Sequence, residues 1–350
     1  MKKQLQNKIN DQQVEITHLK KLILINKLNE TNKEFIMTKK TKDYKYLVLS
    51  GGGIKGISFI GALLQLDEMG ILYDKNRKIK IKGIAASSAG TMITSLFVIG
   101  YSPLEIHDIM KSLDFEKIVD DKPGYIRDTI NFFSNYGVCK GDYVCDMMGK
   151  FIKDKTGNAD YTLKQLYLDT GIKLVITATN MNKKNTVYLH PENKNPLYSD
   201  IPIRVAIRMS MSIPFLFEPY HYNDCLFSDG GVLDNYPLHC FDNPDPSNLD
   251  AKYSDCTPNF KTLGLKITTH EPNPEKEPQK IDHLYDYVYS YVDTFLAEND
   301  RKTYLKENWS RTVFIITKSY PLTQFSLTEE QKTELIEAGR QYVIKYFSDL

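Results

Sequence analysis

The chain has 350 residues, with 45 basic against 44 acidic side chains and 41% hydrophobic residues, the profile of a globular chain of one large or two ordinary domains. A net charge of +1 creates no overall field for a polyanion, so no nucleic-acid partner is expected and any membrane contact must come from a local patch. The five cysteines (Cys139, Cys145, Cys225, Cys240, Cys256) form no C-x-x-C pair, which argues against a disulfide scaffold or a zinc site and for reduced thiols inside a cell.

In chain order, residues 1–42 are polar, and Leu5, Ile9, Ile16, Leu19 and Ile23 recur at spacings that suit a short amphipathic helix if Gln12 interrupts the stripe. This extension is expected to be separate from a folded domain over residues 43–350. Its longest apolar run, Leu22-Ile23-Leu24-Ile25, is too short for a signal-peptide core or a membrane span. Residues 46–49 read as a buried strand and 54–69 as a helix with Leu63, Leu64 and Leu66 inward. A second strand is expected over 79–86 and a second helix over 88–100. The uncharged stretch 83–104 is long enough to cross a bilayer, but Ser87, Ser88, Thr91, Thr94 and Ser95 at its centre favour a buried strand-turn-helix. Further strands are expected at 173–179, 186–189, 263–268 and 312–317, and a closing helix at 328–347. This alternation predicts an α/β fold with a central, mostly parallel sheet between helical layers. Two segments, 242–258 and 271–282, are rich in Pro, Asn and charge and read as surface insertions that would serve as a lid if they border a site.

Three motifs carry chemistry. Ser50-Gly51-Gly52-Gly53-Ile54-Lys55-Gly56 follows the first strand and opens a helix, so its glycines allow a tight turn and present N–H groups to an anion. A phosphate-binding P-loop fails because Ile57 follows Gly56 where Lys-Ser/Thr is required. A dinucleotide site fits the G-x-G-x-x-G spacing of Gly51, Gly53 and Gly56 but is disfavoured because the next strand ends Ala85-Ala86-Ser87-Ser88, without the carboxylate that would hold a ribose. A third candidate is an anion that forms only during reaction, the oxyanion of an acyl intermediate.

The second motif, Ala86-Ser87-Ser88-Ala89-Gly90, lies between a strand and a helix and matches the nucleophile elbow G-x-S-x-G at Ser88 and Gly90, with Ala86 in the first glycine position. The third, Asp229-Gly230-Gly231, puts a carboxylate in a turn. None of the seven histidines sits in a setting that recommends it as a base, and a desolvated carboxylate can take that role.

These motifs, with the stretch Ala206-Ile207-Arg208-Met209-Ser210-Met211-Ser212-Ile213-Pro214-Phe215, resemble the patatin-like phospholipase family in order and spacing, over roughly residues 44–347. The resemblance implies a three-layer α/β/α fold and a serine lipid acyl hydrolase of phospholipase A type, acting without a cofactor or metal. By position it implies Ser88 as nucleophile and Asp229 as base. The oxyanion hole would be the N–H groups of Gly52, Gly53 and Ile54; Ala86 and Gly90 would be the small residues of the elbow. Lys55 and Arg208 are candidates for contact with a lipid head group. The implied partners are a phospholipid and the membrane or micelle surface that presents it, which suits an intracellular protein peripheral to membranes. Two alternatives stay open: an acyl hydrolase for soluble thioesters or neutral lipids, and a lipid-binding scaffold without turnover, favoured only by the extra methyl of Ala86.

Overall fold

The computed structural model describes residues 38–119, 134–242, 257–269, 306–318 and 324–348, with Tyr320 and short stretches between 281 and 294. The chain divides into two units, Met1–Asp43 and Tyr44–Leu350. The predicted N-terminal amphipathic helix, and nearly all of the predicted insertions 242–258 and 271–282, lie outside the described residues.

In the second unit, β1 (Tyr46–Leu49), β2 (Gly83–Ala86), β4 (Lys173–Asn180), β5 (Asn185–Leu189), β7 (Tyr220–Tyr222), β8 (Cys225–Asp229), β9 (Thr262–Thr269) and β10 (Thr312–Thr317) form one sheet. Its order is β10-β9-β1-β2-β4-β8-β7, with β5 also paired to β4. The five strands from β10 to β4 run parallel, while β5, β7 and β8 pair antiparallel. A separate two-stranded sheet joins β3 (Gly137–Cys139) to β6 (Phe215–Phe217).

The central strands are apolar because both of their faces are covered. Leu47, Leu49, Ile84, Ala86, Leu174 and Ile176 enter the large core. The alternate residues Val48, Ala85 and Val175 point the other way and pack with Tyr236, Leu238, Cys240 and Phe241, as the two-residue period of a strand requires. The helices around the sheet are α1 (Ser58–Glu68), α2 (Ala89–Val98), α3 (Pro103–Ser112), α4 (Asp142–Thr156), α5 (Leu163–Thr170), α6 (Ile203–Ser210), the single turn α7 (Gly231–Asp234) and α8 (Glu329–Ser348), with α3 packed on α1 and α2, and α4 on α6. Among the described residues no helix is long and apolar enough to cross a membrane. The stretch that had the length for it forms β2 and α2.

The expected parallel strands are all present within a residue or a few at their ends. Leu63 and Leu66 are buried in α1, but Leu64 is only half-buried, because three leucines over four residues exceed the arc that one helix face offers. The strands missing from the sequence reading are β3, β6, β7 and β8, of three to five residues each. The hairpin β7–β8 turns at Asn223 and Asp224, both at positive φ (48° and 58°), with Tyr222 opposite Cys225. Asn-Asp between β-formers is the sequence signal of such a two-residue turn.

Register places the site. Ala86, the last residue of β2, pairs with Ile176 of β4, and two residues further along β4 Ala178 pairs with Asp229, the last residue of β8. Two residues beyond Ala86 is Ser88. The ends of two strands that do not touch are thereby carried to one level at the carboxyl edge of the parallel strands, where open α/β sheets hold their ligands.

Asp242 and Asn259 are held beside one another by a buried ion pair. The Arg311 guanidinium, 1% exposed, donates to both carboxylate oxygens of Asp242 and to the Asn259 carbonyl at 3.2 Å, and the Asn259 N–H donates to Asp242 at 3.0 Å. On the other flank α1 crosses α8 at backbone distance, because a Cβ on Gly61 would run into the carbonyl oxygen of Ile336. Gly61→Ala is expected to lower stability by about 2 kcal/mol, since backbone atoms cannot yield as a side chain can. Urea denaturation at equilibrium checks this, and an unchanged midpoint would show that the two helices can separate at no cost.

Candidate active site

The chain leaves β1 through Ser50 into the glycine loop. Ser50 Oγ donates to the Gly51 carbonyl at 2.9 Å and accepts the Ile267 N–H at 3.1 Å, and the Gly51 N–H donates to the Asn235 carbonyl at 3.0 Å. The loop is thus tied to β9 on one side and to the turn after Asp229 on the other. Gly53, at φ +54°, takes the left-handed conformation that glycine reaches without steric cost, and a 3-10 turn, Gly53–Ile57, leads into α1. Close approach explains Gly51, because a Cβ there would collide with the Asn235 side chain and press within 3.0 Å of Ser88 Cβ.

At the end of β2 the backbone turns sharply. Ser88 has φ 47° and ψ −129°, a combination that costs a non-glycine residue about 1–3 kcal/mol and persists where its surroundings impose it. Gly90 permits the turn, since a Cβ there would approach the Ser50 carbonyl oxygen at 2.6 Å. Ala86 is fully buried in the core, and its methyl is accommodated as part of β2. The neighbouring serines separate cleanly. Ser87 Oγ is buried and, among the described residues, has no hydrogen-bond partner. Ser88 Oγ donates to Asp229 Oδ2 at 2.6 Å.

Asp229 is 2% exposed. Its second carboxylate oxygen accepts the Gly231 N–H at 2.7 Å, and its carbonyl accepts Thr179 Oγ1 at 2.9 Å. Burial pushes its pKa up to about 7, against the downward pull of the Ser88 and Gly231 hydrogen bonds. At that value the carboxylate can both accept and return a proton near neutrality.

Ser88 opens onto an apolar cleft of about 500 Å³, its solvent-filled mouth included, with Gly53, Ile54, Met92, Ile93, Ile213, Phe217 and Phe325 among its walls. Among the described residues, no three His, Cys, Asp or Glu side chains are grouped so as to hold a metal ion.

The predicted site residues fall into two sets. Gly52, Gly53, Ile54, Ala86, Ser88, Gly90 and Asp229 are brought to one end of the sheet. Arg208 is not part of the cleft: it is 3% exposed, and its guanidinium donates to Ser212 Oγ at 2.5 Å, to the Glu218 carbonyl at 2.9 Å and to the Lys140 carbonyl. A buried cation spent on protein oxygens is part of the site's support, which corrects the expectation of a head-group contact there. Lys55 is half-buried in the glycine loop. The sequence reading missed Ser210, whose hydroxyl accepts the Ser88 N–H at 2.9 Å. It lies within the stretch that carried the family resemblance, but nothing local marks it.

A mixed α/β sheet that holds a strained serine against a buried carboxylate at the rim of an apolar cleft defines the class of a hydrolase. Comparison with known proteins gives the family. The profile of the patatin-like phospholipases matches residues 47–242. The chain is 30% identical over 311 residues to an uncharacterized protein, R571, of Acanthamoeba polyphaga mimivirus, spanning 86% of this chain and 94% of that one. It is also 30% identical to the probable lipid hydrolase 463L of Invertebrate iridescent virus 6, over 57% of this chain and 63% of that one. Lysophospholipase NTE1 of Candida albicans is 26% identical over 55% of this chain, a match that takes in 12% of that protein. The crystal structure of VipD from Legionella pneumophila shares the fold, with a TM-score of 0.55 at 17% identity over 88% of this chain and 67% of that one. The chain belongs to the patatin-like phospholipase family, and its activity is that of a lipid acyl hydrolase.

The two adjacent serines make a sharp prediction. Ser87→Ala removes a buried hydroxyl without a partner and is expected to leave stability within about 1 kcal/mol of the parent or slightly above it, with ester hydrolysis unchanged. Thermal unfolding and initial rates on a soluble ester check both, and loss of turnover in a folded Ser87→Ala chain would move the nucleophile one residue back.

Proposed function

We propose that the protein cleaves acyl esters of phospholipids through an acyl-enzyme, with Ser88 as nucleophile and Asp229 as the base that serves it. The observation that carries this reading is the 2.6 Å hydrogen bond from Ser88 Oγ to Asp229 Oδ2, made at a strained elbow and opening on an apolar cleft. Asp229 takes the hydroxyl proton as Oγ attacks the ester carbonyl carbon. The oxyanion that forms faces the N–H groups of Gly52, Gly53 and Ile54, and no backbone carbonyl among the described residues accepts from these three. Ser88 also stands at the N-terminus of α2, whose dipole favours negative charge there. Collapse of the intermediate breaks the C–O bond to the lysolipid, whose oxygen takes the proton from Asp229. A water molecule, deprotonated by the same carboxylate, then attacks the acyl-enzyme, releases the fatty acid and returns the proton to Ser88.

The acyl chain lies along Met92, Ile93, Ile213, Phe217 and Phe325, a wall with no charge to desolvate. Lys55 is the remaining candidate for a phosphate contact, because it sits in the same loop as the oxyanion donors. Substrate of this kind resides in aggregates, so the protein works at a membrane or micelle surface. Its relatives include a probable lipid hydrolase and a lysophospholipase, which supports a lipid ester over a soluble thioester.

The test is fatty-acid release from phospholipid in mixed micelles by the parent, Ser88→Ala and Asp229→Asn, each shown to be folded by circular dichroism. Both variants are expected to lose about 10³-fold or more in kcat. Because the base must be ionised, kcat/KM of the parent is expected to fall as the pH drops through about 7 and to be level above it. Retained turnover in either variant, or a profile flat through neutrality, would sink the assignment.

A further inference from the structure

Ser88 and Asp229 are 141 residues apart in the chain and stand at the ends of β2 and β8, two strands with β4 between them. No hydrogen-bond ladder joins them directly: the pairings of β2 and β8 with β4 bring the strand ends to one level, but Ser88 lies two residues beyond its ladder. The bond they make is nevertheless 2.6 Å long, and something must hold both backbones to that tolerance.

The described residues contain one stretch that touches both. Ser210, the last residue of α6, accepts the Ser88 N–H on its hydroxyl at 2.9 Å and the Gly230 N–H on its carbonyl at 3.3 Å. Two residues on, the Ser212 carbonyl accepts the Asp229 N–H at 2.8 Å and Ser228 Oγ at 3.0 Å. One short segment thus holds the amide of the nucleophile and two successive amides of the aspartate turn. Ser210 is fully buried, so water offers no substitute acceptor. The segment is itself fixed: Ser212 Oγ donates to the Arg208 carbonyl at 2.8 Å and accepts from the Arg208 guanidinium at 2.5 Å. The intervening Met211 and Ile213 line the cleft, so alternate residues of one segment grip the pair and wall the substrate.

We infer that Ser210 is the positioning residue that sets the separation of Ser88 and Asp229, an inference that rests on the reading of that pair given above. Its hydroxyl is the only side-chain group in the bracket that reaches the nucleophile. Its bond to the Ser88 N–H also withdraws that amide from the oxyanion, leaving the task to the glycine loop.

Removing the hydroxyl frees the Ser88 amide, lets the elbow relax and loosens the bond that holds the Asp229 carboxylate below its fully desolvated value. Ser210→Ala is therefore expected to lower kcat about 10- to 100-fold with KM nearly unchanged, the scale of a misplaced reacting group. The pH at which activity is half lost should move upward, because the carboxylate loses a stabilising donor. Labelling of Ser88 by a fluorophosphonate, which needs no lipid surface, should slow by a similar factor. Ser210→Thr keeps the acceptor and is expected to restore most of the rate and the parent pH midpoint. Ser210→Cys, of similar size with a weaker acceptor, carries the same test should the alanine chain not fold, with losses in the same direction.

Ser88→Ala and Asp229→Asn are assayed in parallel. If both are inactive while the folded Ser210 variants keep the parent's kcat, pH midpoint and labelling rate, the inference about Ser210 is overturned and the dyad stands. If either retains turnover, the dyad and this inference fall together. A uniform loss in Ala, Cys and Thr alike, without movement of the pH midpoint, would reduce Ser210 to a packing residue and also overturn it.

Discussion

A carboxylate buried to 2% exposure and accepting a hydrogen bond from a serine on a left-handed backbone is a costly combination, and the rest of the fold can be understood by what keeps it in place. The left-handed turn costs about 1–3 kcal/mol and the desolvated carboxylate adds to it. Neither would survive in a yielding environment. The parallel strands supply rigidity, because β1 and β2 are apolar on both faces and are packed from both sides. The glycine loop adds closeness, since backbone without Cβ atoms lets Gly51, Ser88 and Asn235 share a space that any other residue would fill.

The sheet divides this labour by strand direction. Its parallel half presents N–H groups and the elbow at the carboxyl ends of β1 and β2, as every βα unit does. A carboxylate at the same level has to arrive from another direction, and β8 provides it by running antiparallel to β4. The two-residue turn at Asn223 and Asp224 fixes where β8 starts, and the pairing of Ala178 with Asp229 fixes where it ends. A slip of one residue in that ladder would send the carboxylate to the opposite face of the sheet, so the hairpin is as much part of the site as the aspartate.

What could be read from the sequence follows the range over which each feature is encoded. The glycine loop, the small residues around Ser88 and the Asp-Gly-Gly turn are local: each needs particular residues at particular offsets because of backbone sterics, and all were legible. The apolar runs of β1, β2, β4, β9 and β10 were legible for the same reason. Short strands such as β6 and β7 carry too few residues for a period to show, and β8 was hidden with them. Arg208 misled because an arginine near a reactive motif suggests a phosphate partner, whereas its guanidinium is satisfied by carbonyls from Lys140 and Glu218, one of them 68 residues away. Ser210 was invisible for the complementary reason, since its partner is 122 residues distant and no spacing rule reaches that far.

On the proposed reading, a carboxylate rather than an imidazole serves as base, and that choice has a physical logic. An imidazole with an ordinary pKa is already a good base near neutrality and tolerates a wet site, but a carboxylate must be raised to reach the same strength. Here burial does that, and the cleft onto which Ser88 opens is walled by the apolar Met92, Ile93 and Phe217. On the proposed reading, an acyl chain entering the cleft displaces the remaining water and strengthens the base when the ester arrives beside it. His190 and His239 are both nearly buried, but neither lines the cleft; His239 instead meets the Tyr188 hydroxyl at 3.1 Å. On that same proposed reading reactivity is coupled to occupancy: an empty cleft would hold a weaker base, and a chain that fills it poorly would leave water where the carboxylate needs none.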